Sequence, residues 1–143
     1  MDYLQSFAIS SAGMAAERTR VEVAALNLAN ANSVGDAAGI YRPLRAVVHA
    51  GSAEAGHAAS FGSLVGHGLG GPTVTIDAID RAPRRVLDPG HPQADAAGFV
   101  SYPAIDTATE MVSMMSATRA YEANVAAMNS ARTVALKTLD IGN

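Results

Sequence analysis

The chain has no cysteine and no tryptophan, and only 5% of its 143 residues are aromatic. Without cysteine there is no disulfide scaffold and no thiolate-held metal, and either redox compartment suits the chain. With so few large side chains, the 49% hydrophobic content rests heavily on alanine. Alanine buries little area, so each element gains less from burial than a leucine-rich one would, and long, thin helices suit such a composition better than a thick core. Positive charge is also scarce. Ten Lys and Arg against thirteen Asp and Glu give a net charge of -3, which offers no basic footprint for a nucleic acid. No apolar run approaches the ~20 residues of a membrane-spanning helix, so no membrane insertion is expected. Residues 1–20 show neither a basic opening nor an unbroken apolar stretch, so no secretory signal is visible. The residues alone read as a soluble chain whose compartment is open.

Proline is missing from both ends and confined to the middle of the chain, which permits long terminal helices. Over residues 4–30, Phe7, Met14, Val21 and Leu28 recur every seven residues, with Leu4, Ser11, Arg18 and Ala25 at the other seam position. A neighbouring stripe holds Ile9, Ala12, Ala16, Val23 and Leu26. One stripe serves one partner helix, whereas two side by side predict packing on more than one face. Asn30, Asn32 and Gly35 supply turn-tolerant residues where this helix should stop. Near the other end, Thr107 and Glu110 form a T-x-x-E capping box. Met111, Met114, Thr118, Tyr121, Val125, Met128, Arg132, Ala135 and Leu139 then keep a three-four spacing before Gly142. At ~1.5 Å per residue that helix is roughly 50 Å long, too long for a compact domain of this size.

Between these ends, residues 44–48 and 73–79 read as strands, the second alternating Val74, Ile76 and Ala78 against Thr73, Thr75 and Asp77. Residues 84–87 and 98–102 are further strand candidates. Residues 51–71, rich in Gly, Ala and Ser, read as a flexible loop, and Asp88-Pro89-Gly90-His91-Pro92 as a rigid turn. The expected fold is therefore α+β, with two long antiparallel terminal helices, coiled-coil-like, flanking a small β-containing, loop-rich middle. Residues 1–33 and 107–143 would form one helical domain discontinuous in sequence, and residues 34–106 the middle region.

Candidate chemistry is thin. Gly66-His67-Gly68-Leu69-Gly70-Gly71 is followed by Pro72 and a predicted strand, without a Lys-Ser/Thr pair, whereas a phosphate-cradling loop must open a helix. His49, His57, His67 and His91 share no ligand spacing. No G-x-S-x-G elbow is present, and Asp77 and Asp80, three apart on a strand, point to opposite faces. Neither a catalytic residue, nor a bound metal, nor a cofactor is expected. Met111, Met114, Met115 and Met128 suit an adaptable groove or ordinary helix packing. Arg18 and Arg132 either fix register at the seam or lie along its edge.

Taken in order, these features resemble the flagellar rod, hook and filament family, whose members carry apolar heptads at both termini. Leu26-Asn27-Leu28-Ala29-Asn30-Ala31-Asn32-Ser33 looks like that family's S-N-L-A-N-A-N-T signature, with Leu26 and Ser33 departing from it and residues 35–39 inserted before Tyr41-Arg42. The rod members of the family are also resembled in Asp88 to Pro92, Ala94-Asp95, Gly98-Phe99-Val100, Tyr102-Pro103 and Glu110-Met111-Val112. The likeness continues in Arg119-Ala120-Tyr121-Glu122-Ala123-Asn124-Val125 and Leu136-Lys137-Thr138-Leu139. It spans nearly the whole chain except residues 51–71. The resemblance implies a non-enzymatic subunit, exported through the flagellar type III apparatus without a cleaved signal. Such a subunit assembles in the periplasm with other rod proteins and itself into a hollow, torque-carrying shaft needed for motility. Phe7, Met14, Val21, Leu28, Met111, Met114, Tyr121, Val125, Met128 and Leu139 are the expected assembly interface, and Asn27, Leu28, Ala29 and Asn30 the family motif. An adaptor that binds partner helices without polymerising, and a small enzyme using the glycine-rich loop, are the rival readings.

Overall fold

The computed structural model describes residues 3–35, 39–49 and 72–141; the predicted loop at 51–71, with His57 and His67, lies outside the described residues. Two helices enclose four short strands in the chain order α1 (Tyr3–Asn30), β1 (Leu44–His49), β2 (Thr73–Ala78), β3 (Arg84–Leu87), β4 (Phe99–Tyr102) and α2 (Thr107–Ile141). This is the expected α+β arrangement. The contacts divide into two units, Met1–Thr19 with Val47–Thr75 and Ser116–Asn143, and Arg20–Ala46 with Ile76–Met115.

In the first unit α1 meets α2 where α1 has no side chain. A Cβ placed on Gly13 would fall 3.0 Å from the Oδ1 of Asn124, so the glycine leaves room for that amide. Asn124 donates its Nδ2 to the carbonyl of Ala120, 3.0 Å away on its own helix. Glycine inside a helix costs about 1 kcal/mol against alanine, and here the close approach of the second helix offsets it. Ala16 and Ala117 are fully covered.

In the second unit Arg20, Val23 and Ala24 of α1 share one cleft with Thr109, Glu110 and Ser113 of α2. β1 pairs with β2, and β3 with β4, as separate two-stranded sheets. The β3–β4 register is antiparallel, with Arg84 opposite Tyr102 and Leu87 opposite Phe99. Val100 is its fully covered residue, whereas all of β3 is exposed. Short strands such as these, with arginines stacked over Tyr102 and Phe99, present little open edge for unwanted pairing.

The turn between β3 and β4 is organised by Asp95. Its Oδ1 accepts from the backbone N–H groups of Ala97 and Phe99, each at 2.9 Å, and its Oδ2 pairs with Arg85. Foremost the Phe99 N–H, and with it Ala97 and Arg85, holds the carboxyl below the ordinary aspartate range. Gly98 sits at φ 80, a left-handed conformation that an L side chain rarely adopts, with Pro89 packed against it.

The start of α2 differs from expectation by one residue. Asp106, rather than Thr107, is the cap: it accepts from the N–H of Ala108 at 3.1 Å and from the hydroxyl of Thr109 at 2.6 Å. An aspartate at this place satisfies a free first-turn donor and adds negative charge at the positive end of the helix. Thr107 is thus already helical, and Glu110 is free to face the cleft.

The covered core is small. Among the described residues, and apart from the prolines Pro43 and Pro103, the buried apolar side chains are Ala16, Val23, Ala24, Ala31, Val100 and Ala117. Four of the six are alanines, each contributing only about one methyl group of burial.

Candidate assembly surfaces and the buried amide behind them

Asn27, the first residue of the predicted family motif, is the fully buried polar side chain of the described core. Its amide pairs with Leu44 as one peptide group pairs with another. Nδ2 donates to the Leu44 carbonyl at 2.9 Å, and Oδ1 accepts from the Leu44 N–H at 2.9 Å. Oδ1 also accepts from the Tyr41 hydroxyl at 3.0 Å. The donor and acceptor of a single backbone residue therefore fix which way the amide points. Pro43, itself buried, accepts from the N–H of Ile79 at 2.7 Å, so the start of β1 is held by α1 on one side and by the chain after β2 on the other. Burial first, and the nearby charge of Glu110 second, raise the Tyr41 phenol above its ordinary range, keeping it protonated as the donor this arrangement needs.

The rest of the motif finishes the helix. Asn30 donates its amide to the Leu26 carbonyl at 2.8 Å, and its own carbonyl accepts from the Ser33 N–H and hydroxyl. Leu28 is half-buried and Ala29 exposed. Asn27 is the residue of this stretch whose side-chain hydrogen bonds, among the described residues, reach another element.

The expected interface residues divide by exposure. Phe7, Met14, Val21 and Leu28 on α1, and Met114, Val125 and Met128 on α2, are half-buried. Met111, Tyr121 and Leu139 stand in solvent, 55%, 40% and 67% exposed. Neighbours that the heptad reading left out, Val112, Met115, Val134 and Leu136 on α2, are exposed as well, as are Ile9 and Leu26 of the second α1 stripe. The apolar surface left open is thus broader than one seam.

The cleft of the second unit has a volume of about 340 Å³. Val23, Ala24, Leu44, Ala46 and Ile79 give it apolar walls, and Arg20, Arg45 and Arg81 bring three cations against the one carboxylate of Glu110. No sequence motif pointed to it, because its residues come from four separate stretches of the chain.

Nothing in these surfaces has the make-up of a reaction centre. His49 lies 3.1 Å from the Thr75 hydroxyl, and the Nδ1 of His91 accepts from the Gln93 N–H at 3.1 Å inside the turn. Among the described residues no group of three or more His, Asp or Glu is placed to hold a metal, and no helix is long and apolar enough to cross a membrane.

Residues 96–141 match the family described as flagellar basal body rod FlgEFG protein C-terminal. Over 144 residues, 99% of both chains, the protein is 38% identical to the flagellar basal-body rod protein FlgC of Salmonella typhimurium. It is 39% identical over 145 residues to the FlgC protein of Yersinia enterocolitica, and 34% identical over 152 residues to that of Bacillus subtilis, again across 99% of each. The chain therefore belongs to the FlgC family of flagellar basal-body rod proteins.

Proposed function

We propose that this chain, a structural and non-catalytic subunit of the flagellar basal-body rod, polymerises through its two terminal helices into the hollow shaft that carries torque. The observation that supports this reading best is the apolar surface left open on α2, from Met111, Val112 and Met115 at one end to Val134, Leu136 and Leu139 at the other. Apolar side chains exposed along a helix of 35 residues gain burial energy only when another molecule covers them. A shaft needs large buried contacts between rigid elements, and a head-to-tail contact that does not close generates a helical tube.

Phe7, Met14, Val21, Leu28, Met111, Met114, Tyr121, Val125, Met128 and Leu139 are the residues assigned to that interface. Residues 1–33 and 107–143 act as one helical body, with residues 34–106 reaching neighbours further out. Asn27, Leu28, Ala29 and Asn30 serve the interface indirectly, by fixing how α1 ends and how the chain leaves it. The partners are other rod proteins and further copies of this chain. Delivery through the flagellar type III export apparatus and a place in the periplasmic part of the basal body belong to the same proposal, with no role for nucleic acid.

Removing residues 119–143 tests it. The shortened chain should still be synthesised, but imaged basal bodies should lack rods and the cells should not swim. Normal swimming by that strain would refute the reading. An adaptor function predicts instead that the purified chain binds one partner stoichiometrically and never assembles with rod proteins.

A further inference from the structure

We infer that the arginine-lined cleft is a binding site for a carboxylate side chain flanked by an apolar residue, presented by another rod protein. The inference rests on the rod-subunit reading and names one of its contacts.

The cleft lies wholly within the unit formed by Arg20–Ala46 and Ile76–Met115, and its walls are fixed before any ligand arrives. Leu44 is held through its N–H and its carbonyl by the buried Asn27 amide, each at 2.9 Å. The Ile79 N–H donates to the Pro43 carbonyl at 2.7 Å, which ties the chain after β2 to the same corner. Thr109, in the first turn of α2, gives its hydroxyl to the Asp106 cap at 2.6 Å. Three of the four stretches that build the cleft are thus pinned by directional bonds, and the fourth is the helix α1 itself. Walls already ordered lose little conformational freedom when a ligand enters.

The lining selects the ligand. Arg20, Arg45 and Arg81 stand against the single carboxylate of Glu110, so the cleft attracts an anion. Two nearby acids are engaged elsewhere: Asp80 pairs with Arg42 at 3.7 Å, and Asp106 caps α2. Arg45 and Arg81 are exposed, and among the described residues neither forms an ion pair. A guanidinium presents its N–H donors as a planar fork that matches both oxygens of a carboxylate. Val23, Leu44, Ala46 and Ile79 make the remaining wall apolar. A cavity of about 150 Å³ holds benzene, so a volume of about 340 Å³ has room for a carboxylate and an aliphatic side chain beside it. In a protein assembly, the anions that neighbours present are Asp and Glu side chains, and charge complementarity of this kind fixes register between subunits.

The purified full-length chain is titrated with the capped dipeptide Leu-Glu, using capped Leu-Gln and inorganic phosphate as controls, while arginine Nε–H signals are followed by NMR. Leu-Glu should shift the Arg45 and Arg81 signals saturably, and each control should bind about tenfold more weakly or less. Arg45→Gln with Arg81→Gln should weaken Leu-Glu binding about tenfold and leave thermal unfolding unchanged, since both side chains are exposed. An equal response to either control, or unchanged affinity in the double variant, would overturn the inference. Asp36→Asn with Glu54→Gln removes the carboxylates of residues 36–38 and 50–71. The arginine signals of that variant should match those of the parent; signals that move would mean the chain fills the site itself, which would also overturn it. In cells, Arg45→Glu with Arg81→Glu should reduce swimming severalfold, and motile suppressors should exchange an Asp or Glu of another rod protein for Lys or Arg. Suppressors confined to this chain would overturn the inference, by placing the carboxylate on the chain or on a second copy of it. Normal swimming of the charge-reversed strain would remove this contact and leave the rod-subunit reading standing. That reading fails separately, if the strain lacking residues 119–143 swims.

Discussion

Replacing Asn27 by alanine strips three groups of their partner at once: the N–H and the carbonyl of Leu44 and the hydroxyl of Tyr41. A fully buried polar group left without a partner costs about 1–3 kcal/mol. Leu44 and Tyr41 are only half-buried, and the space vacated by the amide admits water, so each group is charged near the bottom of that range. The expected loss is about 2–4 kcal/mol, a large share of the stability of a domain this size. Urea unfolding of the purified full-length chain, followed by circular dichroism, measures it directly. Asn27→Asp separates hydrogen bonding from shape, since it keeps the acceptor for Leu44 and Tyr41 but faces the Leu44 carbonyl with an oxygen. The ionised form is buried and repelled there, so its folded pKa must lie above that of the unfolded chain. The variant should therefore be weak at neutral pH and regain stability as pH falls through the raised pKa, when the protonated carboxyl can donate to Leu44 again. An alanine variant within about 0.5 kcal/mol of the parent, below the usual worth of one net hydrogen bond, would refute the claim that this amide holds β1 to α1. An aspartate variant whose deficit does not shrink on acidification would refute the assigned donor and acceptor roles.

Other outcomes follow from the same geometry. Gly13→Ala should be near neutral in thermal unfolding, because a gain of about 1 kcal/mol in helix propensity meets the 3.0 Å approach of Asn124, and it should become clearly stabilising when Asn124→Ala removes that neighbour. Asp95 and Asp106 both have lowered pKa values, owing chiefly to the Phe99 N–H and the Thr109 hydroxyl respectively. Their contributions should be present above the ordinary aspartate pKa and be lost as pH falls through the lowered values, so Asp106→Asn should flatten the acid limb of a stability–pH curve. Tyr41, with a raised pKa, should favour folding below the ordinary tyrosine range and lose its contribution as pH rises through the raised value, a loss absent from Tyr41→Phe. In the isolated subunit at low concentration, amide hydrogens near Leu136 and Leu139 should exchange faster than those around Asn27, and rod assembly should slow them; slow exchange along all of α2 in the free chain would exclude ordering by assembly.

Much of this fold was legible in the sequence because its elements are marked by local chemistry. The proline-free heptads gave two helices close to their observed limits, and the alternation around Val74 and the short run at Arg84 gave strands in the right places. What the pattern could not reveal is which side of each helix is covered. Phe7, Met14, Val21 and Leu28 recur faithfully yet are only half-buried, whereas Ala16, Val23, Ala24 and Asn27 are the covered residues of α1. In an alanine-rich helix the closest approach falls where side chains are smallest, and small residues carry little hydrophobic signal. Thr107 was read as the cap because T-x-x-E is a common signature, but Asp106 one residue earlier is a stronger acceptor at the same helix end. Asn27 stood out through the motif, whereas its partners in Tyr41 and Leu44 are 14 and 17 residues away and no local spacing announces them. The cleft was invisible for the same reason, since each of its arginines reads alone as a solvated surface residue.

The distribution of polar and apolar burial has a consequence for how such a subunit keeps one shape on its own and takes on its final stability in the rod. A described core of four alanines, two valines and two prolines gives little non-directional cohesion, and isolated helices are marginal in water. Directional bonds then have to specify the fold: the Asn27 amide at the start of β1, Asp106 at the start of α2, and Asp95 in the turn between β3 and β4. All three lie in the unit formed by Arg20–Ala46 and Ile76–Met115. Hydrogen bonds of this kind are worth about 0.5–1.5 kcal/mol each in net stability, but misplacing them costs more than forming them gains, which selects one arrangement without making it very stable. The large apolar side chains of α2, meanwhile, are held in reserve on its surface. On the proposed reading, energy that a self-contained domain would gain on folding is deferred to assembly, and the contacts between subunits, rather than the interior of any one of them, would supply the stiffness of the shaft.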